Sequence, residues 1–259
     1  MPRLTFWFDF ASTYSYLTAM RIGEAAAACG VEVGWQPFLL GPIFKTHGWE
    51  TSPFNLYPAK GRYMWRDMER EAARLGLPPL VRPEPFPQNS LLAARAALAG
   101  QGADWTAEFC RRVFAAEFAE GKAISSPDVL AEILDSIGVD AAPVLARMRA
   151  PEIKARLREA TERAAVLGIF GAPSFTCDDG ELYWGNDRLE SALDRAGITS
   201  PSAAPGTRAH ARRRWRECGA APRPPGRSRR SRYRAGRSRS AGCRGRGSRR
   251  SRLRRSAPA

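Results

Sequence analysis

Apolar and polar positions change rhythm three times along this chain. Leu4, Phe6, Phe8 and Phe10, with Trp7 among them, form a short aromatic run that stops at the small polar cluster Ala11-Ser12-Thr13, the pattern of a largely buried strand over Leu4 to Phe10. From Thr13 to Cys29 the segment is alanine-rich, with Tyr16, Leu17 and Met20 at helical spacing and Gly30 placed to end the helix. Val31, Val33 and Trp35 then alternate as a second strand. Strand, helix and strand in so short a span predict a right-handed βαβ unit with parallel strands.

The second rhythm is helical throughout. Met64, Trp65, Met68, Ala72 and Leu75 mark one helical face that ends at Gly76 and Pro78, and further helices are predicted from Ser90 to Ala99 and from Asp104 to Glu120. Ser126-Pro127-Asp128 combines an N-cap, a first-turn proline and an early acid ahead of Val129, Leu130, Ile133, Leu134 and Ile137. A last helix of this block runs from about Pro151 to Leu167. After Gly168 the period returns to two: Ser174 to Cys177 and Glu181 to Trp184 flank the turn Asp178-Asp179-Gly180 and predict a hairpin. Asn186 and Asp187 offer capping side chains to a final helix that ends near Ala196, and Lys45 is expected in a loop bounded by Gly and Pro. The order places the chain in the α/β class. It is that of a thioredoxin-like sheet (β-α-β, then β-β-α) with an all-helical insertion at about 55–167, in a domain of residues 1–199.

Charge changes the picture beyond Ser200. The chain as a whole carries a formal net charge of +15, but residues 200–259 hold twenty Arg, no Lys and one acid, Glu217, against 21 bases and 25 acids in the rest. The folded part is mildly acidic and the tail is a polycation of Ala, Pro, Gly, Ser and Arg, with almost nothing to bury, so disorder is expected there. Two readings fit this tail. Its Arg-Ser and Arg-Gly runs, such as Gly226 to Gly236, suit phosphate contacts to RNA, and its composition is also what a GC-rich reading frame yields when it carries no protein information. The five cysteines, Cys29, Cys110, Cys177, Cys218 and Cys243, have neither C-x-x-C nor metal-ligand spacing. A reducing compartment, no metal and no membrane span are the expectations; the segment after Arg3 lacks the features of a signal peptide, which predicts a cytoplasmic protein.

The first βα junction carries the candidate chemistry. Ser12 reads as the N-cap of the first helix, and a hydroxyl there also lies beside unpaired N–H groups and the positive end of the helix dipole, which favour an anion or a thiolate. His47 and His210 pair with no nucleophile and receive no role.

This junction, Ser12-Thr13-Tyr14-Ser15, resembles the opening of the 2-hydroxychromene-2-carboxylate isomerases, relatives of the kappa-class glutathione transferases, in which S-x-x-S replaces the C-x-x-C of the disulfide oxidoreductases. Further blocks carry the resemblance in order: Leu40 to Lys45, Pro58 to Met64, Phe86-Pro87-Gln88-Asn89-Ser90, Gly168 to Phe175 and Trp184-Gly185-Asn186-Asp187-Arg188. It departs at Thr13, where the family carries Pro, and at Gly48-Trp49, where it carries Gly-Asn. The resemblance covers residues 3 to 195 and implies a glutathione-dependent isomerisation of 2-hydroxychromene-2-carboxylate to trans-o-hydroxybenzylidenepyruvate in naphthalene-type breakdown. Ser12 would hold the glutathione sulfur as a thiolate. Ala172-Pro173 would form the cis-proline loop that pairs with the glutathione backbone, and Trp184, Gly185, Asn186 and Asp187 would meet its γ-glutamyl end. Lys45, Asn55, Gln88 and Asn89, with Lys60, would line the side facing an aromatic keto-acid substrate, and Phe10, Trp35, Tyr63 and Trp65 would supply its apolar walls. A homodimer is also implied. Two alternatives stay open: a kappa-like transferase acting on another electrophile, and a non-catalytic domain whose tail binds RNA. Disulfide exchange at this junction is not expected, because Ser12 and Ser15 cannot cycle through a disulfide.

Overall fold

A computed structural model describes residues 1–199; Cys218, Cys243, His210 and the expected polycationic tail lie outside the described residues. Four strands form one mixed sheet in the order β2-β1-β3-β4, with β1 at Arg3–Phe8, β2 at Glu32–Pro37, β3 at Ser174–Cys177 and β4 at Leu182–Trp184. β1 pairs parallel with β2, from Arg3 opposite Glu32 to Phe8 opposite Pro37, and antiparallel with β3, with Phe6 opposite Phe175. The aromatic run suits this interior position, since both faces of β1 are covered. Leu4, Phe6 and Phe8 join Phe10, Trp35, Phe114 and Phe175 on one face, while Trp7 joins Phe38, Ile43, Ala164 and Ile169 on the other.

Helix α1 spans Thr13–Cys29, as predicted. It ends because Gly30 adopts a left-handed φ of 65°, which lets its own N–H return to Ala27 O and that of Val31 to Ala26 O. The strand before it stops two residues short of the predicted Phe10. Asp9 turns the chain there: its carboxylate accepts from Ala11 N at 3.0 Å and Leu40 N at 2.8 Å, and its carbonyl accepts from Ser12 N at 3.0 Å. Phe10 is nonetheless fully buried, against Phe8 and Phe114.

Between β2 and β3 lie eight helices: α2 (Leu40–Thr46), α3 (Pro53–Leu56), α4 (Pro58–Arg74), α5 (Leu91–Ala99), α6 (Thr106–Phe118), α7 (Pro127–Ser136), α8 (Ala141–Arg147) and α9 (Pro151–Val166). Helices α4 to α7 and α9 are where the periodicity puts them. Three short ones escape it, and Lys45 stands in the last turn of α2 rather than in a loop. That helix has Gly41 and Pro42 in its first turn and is held from outside, by Asp9 on Leu40 N and by Thr161 Oγ1 on Leu39 N at 3.2 Å. Ser126 has the extended backbone of an N-cap, but its side chain makes no capping bond. β4 leads through a 3₁₀ turn at Asn186–Arg188 into α10 (Leu189–Thr199), which runs three residues past the predicted end. Among the described residues no helix is long and apolar enough to cross a membrane, and no group of three or more His, Cys, Asp or Glu could hold a metal ion.

Candidate active site

Ser12 sits where β1 hands over to α1, at φ −90° and ψ 115°. Its Oγ accepts from Ser15 N at 3.3 Å, the capping bond expected of this residue type. The same oxygen donates to Ala172 O at 3.0 Å, across 160 residues of sequence. The cap and the active-site candidate are therefore one group, and the first turn of α1 contains no acid to offset the positive end of its dipole. Thr13, where the family carries proline, is buried and donates from Oγ1 to Met64 Sδ at 3.2 Å, joining the start of α1 to α4.

The Ala172-Pro173 bond is cis, as the resemblance implied. Its loop is fixed on both sides, by Ser174 Oγ donating to Gly171 O at 2.8 Å and by Gly185 N donating to Pro173 O at 2.9 Å. Trp184 is half exposed and packs on Phe170, with ring centroids 4.8 Å apart. A Cβ on Gly171 would collide with the Trp184 indole nitrogen, so glycine is what admits the ring beside the cis loop. Gly185 takes φ 108°, a backbone that other residues rarely adopt, and delivers Asn186 and Asp187 at the next turn.

These two residues do not cap α10. Asn186 is buried, and its Oδ1 accepts from Thr18 Oγ1 and from Arg21 Nε, both at 3.0 Å. Arg21 also donates to the Asn186 carbonyl and to Glu190. The Asn186 side chain thus locks the turn onto α1. Asp187 is exposed and pairs with Arg188 at 2.9 Å.

Two residues that sequence reasoning missed complete this side. Tyr14 donates from its hydroxyl to Asp67 Oδ2 at 3.0 Å, and its ring lies 6.4 Å from that of Phe54. Burial, the Asp67 hydrogen bond and charge, Tyr63 and Asp187 all push the Tyr14 phenol up, so it stays a neutral donor. One carboxylate, that of Asp67, therefore holds a hydroxyl two residues beyond Ser12. Tyr14 stands inside the S-x-x-S junction, while nothing local in the sequence marks Asp67 as its partner.

The polar residues expected to face substrate fare unevenly. Gln88 is buried, with Nε2 donating to Lys122 O at 3.2 Å and Oε1 accepting from Ile124 N at 2.9 Å, so its amide holds a neighbouring loop. Asn89 Oδ1 accepts from Leu91 N at 3.0 Å and starts α5. Asn55 is exposed and donates from Nδ2 to Phe86 O at 3.0 Å and to Thr51 Oγ1 at 3.2 Å. Lys60 lies over the Tyr57 ring, and Lys45 is exposed at the end of α2. Of the expected aromatic walls, Phe10 and Trp35 belong to the packing around β1, and Trp65 is held between Phe86 and Arg82. Tyr63 is the exposed one of the four.

Two acids lie beneath the site. Burial pushes Asp9 up, and hydrogen bonds from Leu40 N, Ser90 and Ala11 N pull it part of the way back. Glu117 is fully buried with neither carboxylate oxygen hydrogen-bonded, and burial, then the charge of Asp9, hold it well above the usual carboxylate range. Cys110 and Cys177 offer no reactive thiolate here: burial pushes Cys110 far up and Cys177 up to about 11.

Comparison with known proteins agrees with this geometry. A family model described as a DSBA-like thioredoxin domain matches residues 3–196. A 2-hydroxychromene-2-carboxylate isomerase of Sphingobium xenophagum is 30% identical over 189 residues, which cover 72% of this chain and 94% of that protein. Glutathione S-transferase kappa 2 of Caenorhabditis elegans is 27% identical over 202 residues, covering 73% of this chain and 89% of that one. The solved structure of a 2-hydroxychromene-2-carboxylate isomerase, in its selenomethionine form, superposes with a TM-score of 0.67 at 28% identity and covers 76% of this chain and 100% of its own.

Proposed function

The chain belongs to the DSBA-like thioredoxin domain family, and from that premise we propose that it is a glutathione-dependent isomerase acting on 2-hydroxychromene-2-carboxylate or a close aromatic keto-acid. The observation that carries this reading is the contact between Ser12 Oγ and the carbonyl before the cis-proline, which puts a non-redox hydroxyl and a backbone pairing edge at one point. The residues present fit glutathione. Among the described residues no hydrogen bond uses the Ala172 N–H, which together with the Ala172 carbonyl offers an extended peptide a donor and an acceptor. Asp187, exposed at the turn that follows Gly185, presents a carboxylate to an ammonium group.

When bound, glutathione supplies a thiolate that adds reversibly to the enone of the ring-opened substrate, turning a double bond into a rotatable single bond. Ser12 O–H donates to the sulfur, and the unpaired N–H groups of the α1 start favour its negative charge. Serine holds the sulfur without forming a disulfide with it. The keto-acid end falls to Lys45, on a helix anchored to Asp9, three residues before Ser12, whereas both amide hydrogens of Asn55 are already given to Phe86 O and Thr51 Oγ1. Tyr63 and Phe54 line the apolar side.

The test is ultraviolet-monitored isomerisation of 2-hydroxychromene-2-carboxylate by the full-length protein, with and without glutathione. Turnover that requires glutathione supports the reading. Binding of glutathione without isomerisation points instead to a transferase acting on another electrophile, the reading that the likeness to a kappa glutathione transferase supports. Absence of both binding and turnover sinks it.

A further inference from the structure

A carbonyl oxygen can only accept, so the 3.0 Å contact between Ser12 Oγ and Ala172 O uses the single hydroxyl proton of Ser12. The N–H of Ser15 takes an acceptor position on the same oxygen. What Ser12 then presents to the cleft is a lone pair, which repels a thiolate. The thiolate-holding role given to Ser12 above, on which this inference rests, therefore requires the proton to leave Ala172 O.

That departure has a cost and a constraint. The Ala172 carbonyl lies in a half-buried loop, and stripping it of its donor is unfavourable. It cannot turn away, because its neighbours are tied on both sides, Gly171 O to Ser174 Oγ and Pro173 O to Gly185 N. The movable part is the hydroxyl. Rotation about the Cβ–Oγ bond redirects the proton and leaves Oγ in place for the Ser15 N–H. A replacement donor for Ala172 O has to come from the ligand.

We propose that Ser12 is a two-position donor whose release is coupled to the peptide character of the thiol. With an amide N–H of the thiol-bearing residue on Ala172 O, the Ser12 proton is free to face sulfur; without one, it stays on the carbonyl. The site then activates most strongly those thiols that carry an amide N–H on the cysteinyl unit, such as γ-glutamylcysteine peptides, and leaves simple mercaptans with only the stabilisation that the start of α1 supplies.

The test compares glutathione with its depsipeptide analogue, in which an ester oxygen replaces the cysteinyl amide N–H, each at saturation on the full-length protein. The thiol pKa of each bound ligand is read from the pH dependence of thiolate ultraviolet absorbance, and kcat is read for isomerisation. In the wild-type protein the depsipeptide is expected to show a pKa lowering smaller by about one unit and a kcat at least about tenfold lower. In Ser12→Ala the two ligands are expected to behave alike, because no proton is left to release. Equal thiol pKa values for the two ligands in the wild-type protein would overturn the coupling and leave the general role of Ser12 standing. A depsipeptide deficit of equal size in Ser12→Ala would overturn it as well, and the wild-type pKa comparison stands even if that variant misfolds. Failure of glutathione itself to bind, seen by calorimetry before either comparison, removes the functional reading and this inference together.

Discussion

The sheet half of the molecule, residues 1–37 with 172–199, and the helical stretch between residues 40 and 166 both carry side-chain amides, hydroxyls and carboxylates that hydrogen-bond within the fold. In the sheet half these groups meet partners remote in sequence: Ser12 meets Ala172, and Thr18 and Arg21 meet Asn186. In the helical stretch they more often close the local backbone, as Asn89 does for α5 and Asp140 for α8. Gln88 reaches further, to Lys122 and Ile124, but it too serves two backbone groups of a loop. The difference lies in what the partner is. A side chain bridging two segments fixes their relative position and can be shared with a ligand, whereas one that only completes a helix end or a loop orders its own segment.

Four experiments press on this contrast, and the largest expected effect is at Ser12. Ser12→Ala should lower glutathione-dependent kcat by about 100-fold, the value of a hydrogen bond to a charged group, while the lost cap costs only about 1 kcal/mol in chemical denaturation. Activity that survives with stability reduced would place Ser12 with the merely local caps. Gln88→Leu should do the opposite. Leaving Lys122 O and Ile124 N without partners is expected to cost about 2 kcal/mol of unfolding free energy, with KM for glutathione unchanged; a rise in KM at unchanged stability would move Gln88 into the site.

Glu117 tests the contrast through pH. Its folded-state pKa is raised from an ordinary value of 4.5 by burial and by Asp9. The folded protein therefore holds that proton more tightly than the unfolded chain, and its contribution is fully present below the unfolded value and is lost as pH rises through the folded one. Glu117→Met, which removes the buried carboxyl at similar volume, should raise stability in mildly alkaline buffer by about 1–2 kcal/mol and flatten the pH dependence of the melting temperature. An unchanged pH profile would mean that Glu117 is not the group responsible. The smallest effect is expected at Asn89. Asn89→Ala removes one exposed helix-start bond and should cost about 0.5–1 kcal/mol, without change in kcat or KM.

Legibility follows the same line. The α1 boundaries were plain in the sequence because Ser12 and Gly30 set them locally, one by its hydroxyl and the other by its left-handed backbone. Helix α2 was not, because Gly41 and Pro42 read as a turn and the anchors that hold its start, Asp9 and Thr161, are remote in sequence. Ser12 and Ala172-Pro173 were named from their motifs, while Tyr14 stood inside the same junction without a role and Asp67 lies in no motif, because their pairing exists only where α4 crosses the start of α1.

By itself, then, the sequence determined the order of strands and helices, the parallel βαβ opening, the hairpin and the serine at the first helix start. These are consequences of residue periodicity and of caps that act within a few positions. Only the tertiary structure decided which polar groups are committed and which face one another. It assigned Asn186 to Arg21 and Thr18, filled the amide of Gln88, left Glu117 buried without a hydrogen bond, and turned the one proton of Ser12 toward Ala172. The physical reason is that a hydrogen bond depends on the position and direction of two atoms, and for residues 160 apart those are set by how the whole sheet and its helices pack, which no local pattern encodes.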